Sequence, residues 1–172
     1  MDFLTLAKER YSVRRLTDRP VEQEKIDKII EAAIAAPTAC NNQPFKIWVL
    51  QSPEALEKVC QTTPFKFVKE APMVFVVGGD AGAAWKRRFD DHNFVDVDVS
   101  IVATHMMLEV QDLGLGTTWV GHFDPNRMRE LFPEMKDYEL VCVFGVGYPA
   151  ADATPADGHA ASRGRDELVS VL

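Results

Sequence analysis

The chain has 172 residues, 47% of them hydrophobic and 26% charged, and its 19 Lys and Arg stand against 26 Asp and Glu for a net charge of −7. Such a composition is that of an ordinary globular protein with room for one substantial core, and its negative balance argues against broad nucleic-acid binding, which needs a basic footprint. No apolar run approaches the ~20 residues of a membrane span, no basic n-region leads an apolar segment at the N-terminus, and the three cysteines (Cys40, Cys60, Cys142) and four histidines (His92, His105, His122, His159) show neither a disulfide framework nor metal-ligand spacing, so the expected setting is a reducing cytoplasm, with no membrane and no nucleic-acid partner.

Asp2 can cap a short helix over residues 3–10. "KERYSVRRLTDR" (8–19) then crowds Lys8, Arg10, Arg14, Arg15 and Arg19 into an otherwise acidic chain. Its middle, "YSVRRL", has the β-branched and aromatic content of an extended segment, and period two places Arg10, Ser12 and Arg14 on one face, with Tyr11, Val13 and Arg15 on the other. Two guanidinium forks flanking a hydroxyl suit a phosphate. The competing reading is a solvated basic surface paired with acidic neighbours.

"VEQEKIDKIIEAAIAAP" predicts an amphipathic helix over about 22–35, with Ile26, Ile29, Ile30, Ala33 and Ile34 at helical spacing and Pro37 ending it. The small and amide run Thr38, Ala39, Cys40, Asn41, Asn42, Gln43 follows; it can present polar groups to a heterocycle or serve as a plain connection. "KIWVLQ" (46–51) predicts a strand, and Ser52-Pro53 opens a small helix. "PMVFVVGG" (72–79) is continuously apolar, as a strand covered on both faces requires.

The segment 79–94 carries Trp85 and Phe89 beside Lys86, Arg87 and Arg88. It reads either as a substrate-contacting element, with stacking rings and anion-attracting charges, or as an amphipathic surface helix. Residues 95–113 predict a long helix, apolar nearly all round and so deeply buried, stopped by Gly114 or Gly116. "GLGTTWVG" lacks the third glycine of a dinucleotide fingerprint and follows a helix, so its glycines read as a helix stop feeding a strand at 117–121, whose end, Gly121-His122, allows close backbone approach to a flat ligand. Asp124-Pro125 caps a helix to about Phe132, and "ELVCVFGVGY" (139–148) predicts another buried strand. The tail from 150 to 172 is small and polar until Leu168, an arm suited to crossing another subunit, and Arg163 and Arg165 stand in it. The tally is one domain over 1–172: a mixed sheet of four to five strands with helices on both faces, in which helices and strands do not alternate strictly, so a doubly wound parallel sheet is not forced.

Five of these stretches, in this order, resemble the FMN-dependent nitroreductase superfamily. They are Arg10-Tyr11-Ser12-Val13-Arg14; Ala36-Pro37-Thr38 through Asn41, Gln43-Pro44-Phe45; Ala71-Pro72; the Asp98-led helix running into "GLGTTWVG"; and Gly147-Tyr148-Pro149. The resemblance implies an α+β fold, a nitroreductase-like three-layer α/β/α sandwich whose central mixed sheet is mostly antiparallel, and a homodimer with FMN at the subunit interface. It implies that Arg10, Ser12 and Arg14 hold FMN, that Arg163 and Arg165 complete the phosphate clamp, and that Pro37, Thr38 and Ala39 pack on the flavin from the partner subunit. Gln43 would touch the flavin edge, Asn41 would count among the cofactor-binding residues, and Gly121 and His122 would bring backbone amides near flavin N5.

The activity so implied is transfer of hydride from NADH or NADPH through flavin N5 to a nitroaromatic, quinone or similar acceptor in a ping-pong exchange, with Trp85, Phe89, Arg87 and Arg88 as the substrate-binding candidates. The alternatives are a specialised relative (a reductive dehalogenase or a flavin-fragmenting enzyme) or a non-catalytic flavin-binding dimer. Two departures stand out. Phe45 replaces the family's Trp, and "TPFKFVKE" offers Lys66 and Lys69 out of register with the Asn and Lys that larger members place before the Ala-Pro strand, which leaves stabilisation of the reduced ring to Arg14.

Overall fold

The structure, a computed structural model, describes residues 2–172. Its elements follow the predicted order: α1 (Phe3–Glu9), α2 (Gln23–Ala35), β1 (Phe45–Leu50), α3 (Pro53–Cys60), α4 (Lys66–Lys69), β2 (Met73–Gly79), α5 (Val95–Asp112), β3 (Gly116–Val120), α6 (Pro125–Leu131), β4 (Glu139–Gly147) and α7 (Arg165–Leu168). The short α4 and α7 carry no long periodic pattern, and the sequence did not predict them. Three helix starts rest on the side chains that predict them: Asp2 accepts from the Leu4 and Thr5 amides, Ser52 from Ala55, and Asp124 from Asn126 and Arg127.

The sheet has four strands in the order β1-β2-β4-β3. Every neighbouring pair is antiparallel, which narrows the expected mixed sheet to a wholly antiparallel one. Strand alternation divides the core into two layers. Met73, Phe75 and Val77 of β2, with Cys142, Phe144 and Val146 of β4, face α2 and α5. Val74, Val76 and Val143 face the opposite way, onto α3, α4 and α6 through Val59, Val68 and Met128. The result is the expected three-layer sandwich, and its continuous apolar strand β2 is buried over its whole length.

Helix α5 departs from its expected burial. Val95, Val99, Val102, Met106 and Val110 are buried, but Val97 is 38% exposed and Ile101 and Leu108 are only partly covered. The sheet and α2 can cover one side of a helix, and on the other side the described residues give only the partial cover of α1. Gly114 supplies the predicted stop with φ of 71°, and the Leu115 amide closes back on the Val110 carbonyl. Among the described residues no helix is long and apolar enough to cross a membrane.

Candidate functional site

Residues 10–16 leave α1 as an extended strip against β3. The Val13 amide donates to the Thr117 carbonyl (2.9 Å), and the Thr118 hydroxyl donates to the Val13 carbonyl (2.7 Å). Val13 is buried to 1% exposure, and a Cβ on Gly116 would stand 2.8 Å from its side chain, so only glycine lets the strip lie this close. With Val13 turned inward, period two turns Ser12 and Arg14 outward, as the sequence predicts.

The basic cluster sorts into two kinds. Arg15 pairs with Asp152 at 2.9 Å, and Arg19 pairs with Glu22 at 2.6 Å while lying over the Tyr148 ring. Arg10 and Arg14 have no carboxylate partner among the described residues; the one polar contact of the Arg14 guanidinium is the Ser12 carbonyl at 3.3 Å. The solvated, acid-paired reading therefore holds for Arg15 and Arg19 and not for Arg10 and Arg14.

Arg14 borders three clefts. One, of about 270 Å³, is formed with Phe65, Phe67 and the end of β3 through Gly121 and His122. Its wall is aromatic: Phe65 and Phe67 stack with centroids 5.1 Å apart, and His122 meets Phe65 edge-on at 5.8 Å. Nothing lies within 4 Å of the position a Gly121 Cβ would take, so that backbone is open to a flat ligand. A second cleft joins Ser12 and Arg14 to Ala156, Gly158 and His159, and a third joins Arg14 and Arg15 to residues 152–157. Sequence reasoning did not single out Phe65, Phe67 or the placement of His159. The signal available for the first two was the aromatic pair flanking Lys66 in "FKF", where α4 begins and Lys66 turns out to an ion pair with Glu70. Arg163 and Arg165 lie exposed at the start of α7 and border none of these clefts.

The α2–β1 loop forms a second group. Pro37, Asn41 and Gln43 are exposed, and Thr38 and Ala39 half-buried. Cys40, Asn41 and Gln43 have φ of 53°, 53° and 49°, left-handed conformations that cost a non-glycine residue on the order of 1–3 kcal/mol each. The loop holds itself through the Gln43 amide donating to Thr38 Oγ1 (3.0 Å) and Gln43 Nε2 donating to Asn41 Oδ1 (3.1 Å). It is tied to the body by the Ala39 amide donating to Asp98 Oδ1 (2.8 Å) and by Asn42 Nδ2 donating to the Ala83 carbonyl (3.1 Å).

Residues 80–94 form neither a helix nor a free loop. Lys86 bridges Asn93, the Arg87 amide donates to the His92 carbonyl (3.0 Å), and the Phe94 amide donates to Trp85 (3.0 Å), giving a hairpin. Trp85 is half-buried edge-on against Phe94 at 4.8 Å, and Arg87 is held bidentate by Asp90 (2.8 and 2.5 Å), which raises the guanidinium pKa and lowers that of the carboxyl. Phe89, 98% exposed, and Arg88, with no acid partner among the described residues, remain free.

The two groups stay apart within one chain. Ser12, Arg14, Phe65, Phe67, Gly121 and His122 gather at β3, whereas the 37–43 loop and the hairpin gather at the N-terminal end of α5, and no cleft bordering Arg14 contains a residue of the second group. The first group can receive an anionic, flat ligand; the second can cover one.

The chain resembles known proteins over nearly all of its length. The sequence model of the nitroreductase family matches residues 7–63 and 60–148. A relative from Methanothermobacter thermautotrophicus, provisionally named NADH dehydrogenase/NAD(P)H nitroreductase, is 32% identical over 91% of this chain and 82% of its own length. The crystal structure of a nitroreductase family protein from Clostridium difficile superposes with a TM-score of 0.90 at 36% identity, covering 99% of this chain and 98% of that one. That of a provisionally named nitroreductase in complex with FMN, from Desulfovibrio desulfuricans, gives 0.80 at 25% identity over 98% and 95%.

Proposed function

The chain belongs to the nitroreductase family, and from that premise we propose that it is an FMN-dependent oxidoreductase that draws on NAD(P)H, works as a homodimer, and reduces nitroaromatic, quinone or similar acceptors in a ping-pong exchange. The observation that carries this reading is Arg14: a cation without an acid partner, on an edge strip, bordering an aromatic cleft beside an open Gly121. Those residues fit a phosphorylated, flat, polar cofactor. Arg10 and Ser12 would bind its phosphate and polyol, Arg14 its electron-rich pyrimidine edge, and the Gly121 and His122 amides the central ring. Arg163 and Arg165 would join the phosphate clamp only from a shifted arm.

FMN, when bound, supplies the centre that accepts and releases hydride at N5. The protein's part is to place it, to keep positive charge beside the pyrimidine edge where negative charge builds on reduction, and to leave one face open. Among the side chains lining this cleft, Arg14 is the one lysine or arginine, so the positive charge would come from it.

Homodimerisation is supported by the uncovered side of α5. Val97, Ile101, Thr104, His105 and Leu108 line two adjoining grooves there, one of them shared with Phe3 and Leu6 of α1, and Phe3 is 70% exposed. A second copy on this face would bury apolar surface and could bring the 37–43 loop of one chain over the Arg14 cleft of the other, with Pro37, Thr38 and Ala39 packing on the flavin and Asn41 and Gln43 meeting its edge. The arm, with Leu168, Val169, Val171 and Leu172 all exposed, would extend the contact. The hairpin would then face the acceptor with Trp85, Phe89 and Arg88. The test is the purified protein itself. A yellow dimer by absorption and light scattering, oxidising NADH or NADPH with a quinone or nitroarene along parallel double-reciprocal lines, is expected. A chain that takes up no FMN when the cofactor is added would overturn the reading.

A further inference from the structure

Asp98 is the buried acid that the scheme above does not use. It lies in the first turn of α5, 1% exposed, amid Val95, Val99 and Val102. Its Oδ1 accepts the Ala39 amide at 2.8 Å, and its Oδ2 is buried with no hydrogen-bond partner. A carboxylate there is unfavourable compared with a fourth apolar residue unless it holds something. The helix N-terminus eases the charge without accounting for it. What it holds is the loop with three left-handed non-glycine residues, a conformation that persists only where its surroundings over-determine it. The loop's other tie to the body, from Asn42 to Ala83, is exposed and uncharged, so water competes with it; the Asp98 contact is charge-assisted and dry.

We infer that Asp98 is the positioning residue of the 37–43 loop, clamping Ala39 so that Thr38, Asn41 and Gln43 are presented in a fixed conformation to the ligand of the neighbouring site. The ligand part rests on the flavin reading; the clamp does not. Because α5 also carries the uncovered apolar face, one helix would transmit the docking of a second chain to the loop.

The experiment reads clamp and ligand separately. In the FMN-free protein, amide hydrogen exchange followed by NMR should show Ala39 protected well beyond the tail amides of residues 160–164. Asp98→Ala should speed Ala39 exchange about tenfold or more, the loss of a charge-assisted bond, and weaken FMN binding by a similar factor in a fluorescence titration. Asp98→Asn, which keeps an acceptor in place, should restore both to within about threefold. A carboxylate with a merely structural role would lower the melting temperature of Asp98→Ala without changing the FMN affinity of the folded fraction. Wild-type Ala39 exchanging as fast as the tail overturns the inference even if no variant folds, and so does Asp98→Ala with unchanged exchange. Accelerated exchange in a protein whose wild type binds no FMN upholds the clamp and removes the flavin reading.

Discussion

Two stretches of this acidic chain concentrate positive charge, the N-terminal strip at 8–19 and the hairpin tip at 86–88, and the structure treats them differently. In the strip, acids far along the chain and one turn away take Arg15 and Arg19, and the edge position against β3 leaves Arg10 and Arg14 without one. At the hairpin tip, Asp90 lies three residues from Arg87 and closes a local bidentate pair, leaving Lys86 and Arg88. Charge density along a sequence therefore does not identify a binding cation. What identifies one is a rigid backbone that aims it and the lack of a carboxylate within its reach.

The two stretches belong to groups that one chain does not unite, so the most drastic test of the contrast separates two chains. Val97→Glu puts a charge on the uncovered face of α5 without entering the core. We expect a monomer by light scattering that has lost FMN almost entirely. A monomer that keeps its FMN would show the Arg14 group to be sufficient by itself.

Next in size is Arg14→Ala. Loss of a charge-assisted contact should weaken FMN binding by about 10- to 100-fold. Wild-type affinity should fall with added salt, and the mutant's should fall less. An unchanged dissociation constant would return Arg14 to the solvated class of Arg15. Gly116→Ala tests whether the backbone aims that cation. The new methyl meets Val13, and overpacking of this kind costs about 1–3 kcal/mol; chemical denaturation should read that loss, and FMN affinity should fall with it although no ligand contact is touched.

At the hairpin tip the effects should be smaller and unequal. Arg88→Ala should raise KM for NADPH or an anionic acceptor a few-fold, about 1 kcal/mol or less of uniform binding, with kcat nearly unchanged. Arg87→Ala should do less, because Asp90 already occupies its guanidinium. Equal effects would mean that the pair opens in solution.

Smallest is the acid-paired end of the strip. The Tyr148 hydroxyl, then the backbone amide of Glu22 and then Arg19, hold the Glu22 carboxyl down at about 2, against an ordinary 4.5. A depressed folded-state pKa contributes stability above the unfolded value and loses it as pH falls through the folded one. The melting temperature of wild type should therefore exceed that of Glu22→Gln slightly at neutral pH, with the difference vanishing between about pH 4.5 and 2. A difference that grew on acidification would contradict this.

Much of the molecule follows from the amino-acid order alone. Asp2, Ser52 and Asp124 start helices because a side-chain oxygen satisfies amides two or three residues on. Gly114 ends α5 because it tolerates a positive φ. The unbroken apolar run of β2 demands cover on both faces, and the alternation at 12–14 turns Val13 away from Ser12 and Arg14. These are terms between near neighbours, so a one-dimensional reading reaches them. Tertiary structure alone decided the rest. It gave Arg15 to Asp152 and withheld a partner from Arg14, left one side of α5 only partly covered, paired Lys86 with Asn93 where a helix was an open reading, and brought Asp98 beneath Ala39. Each depends on which distant surface fills the space beside a residue, and burial and ion pairing respond to that neighbour, not to the residue's own place in the chain.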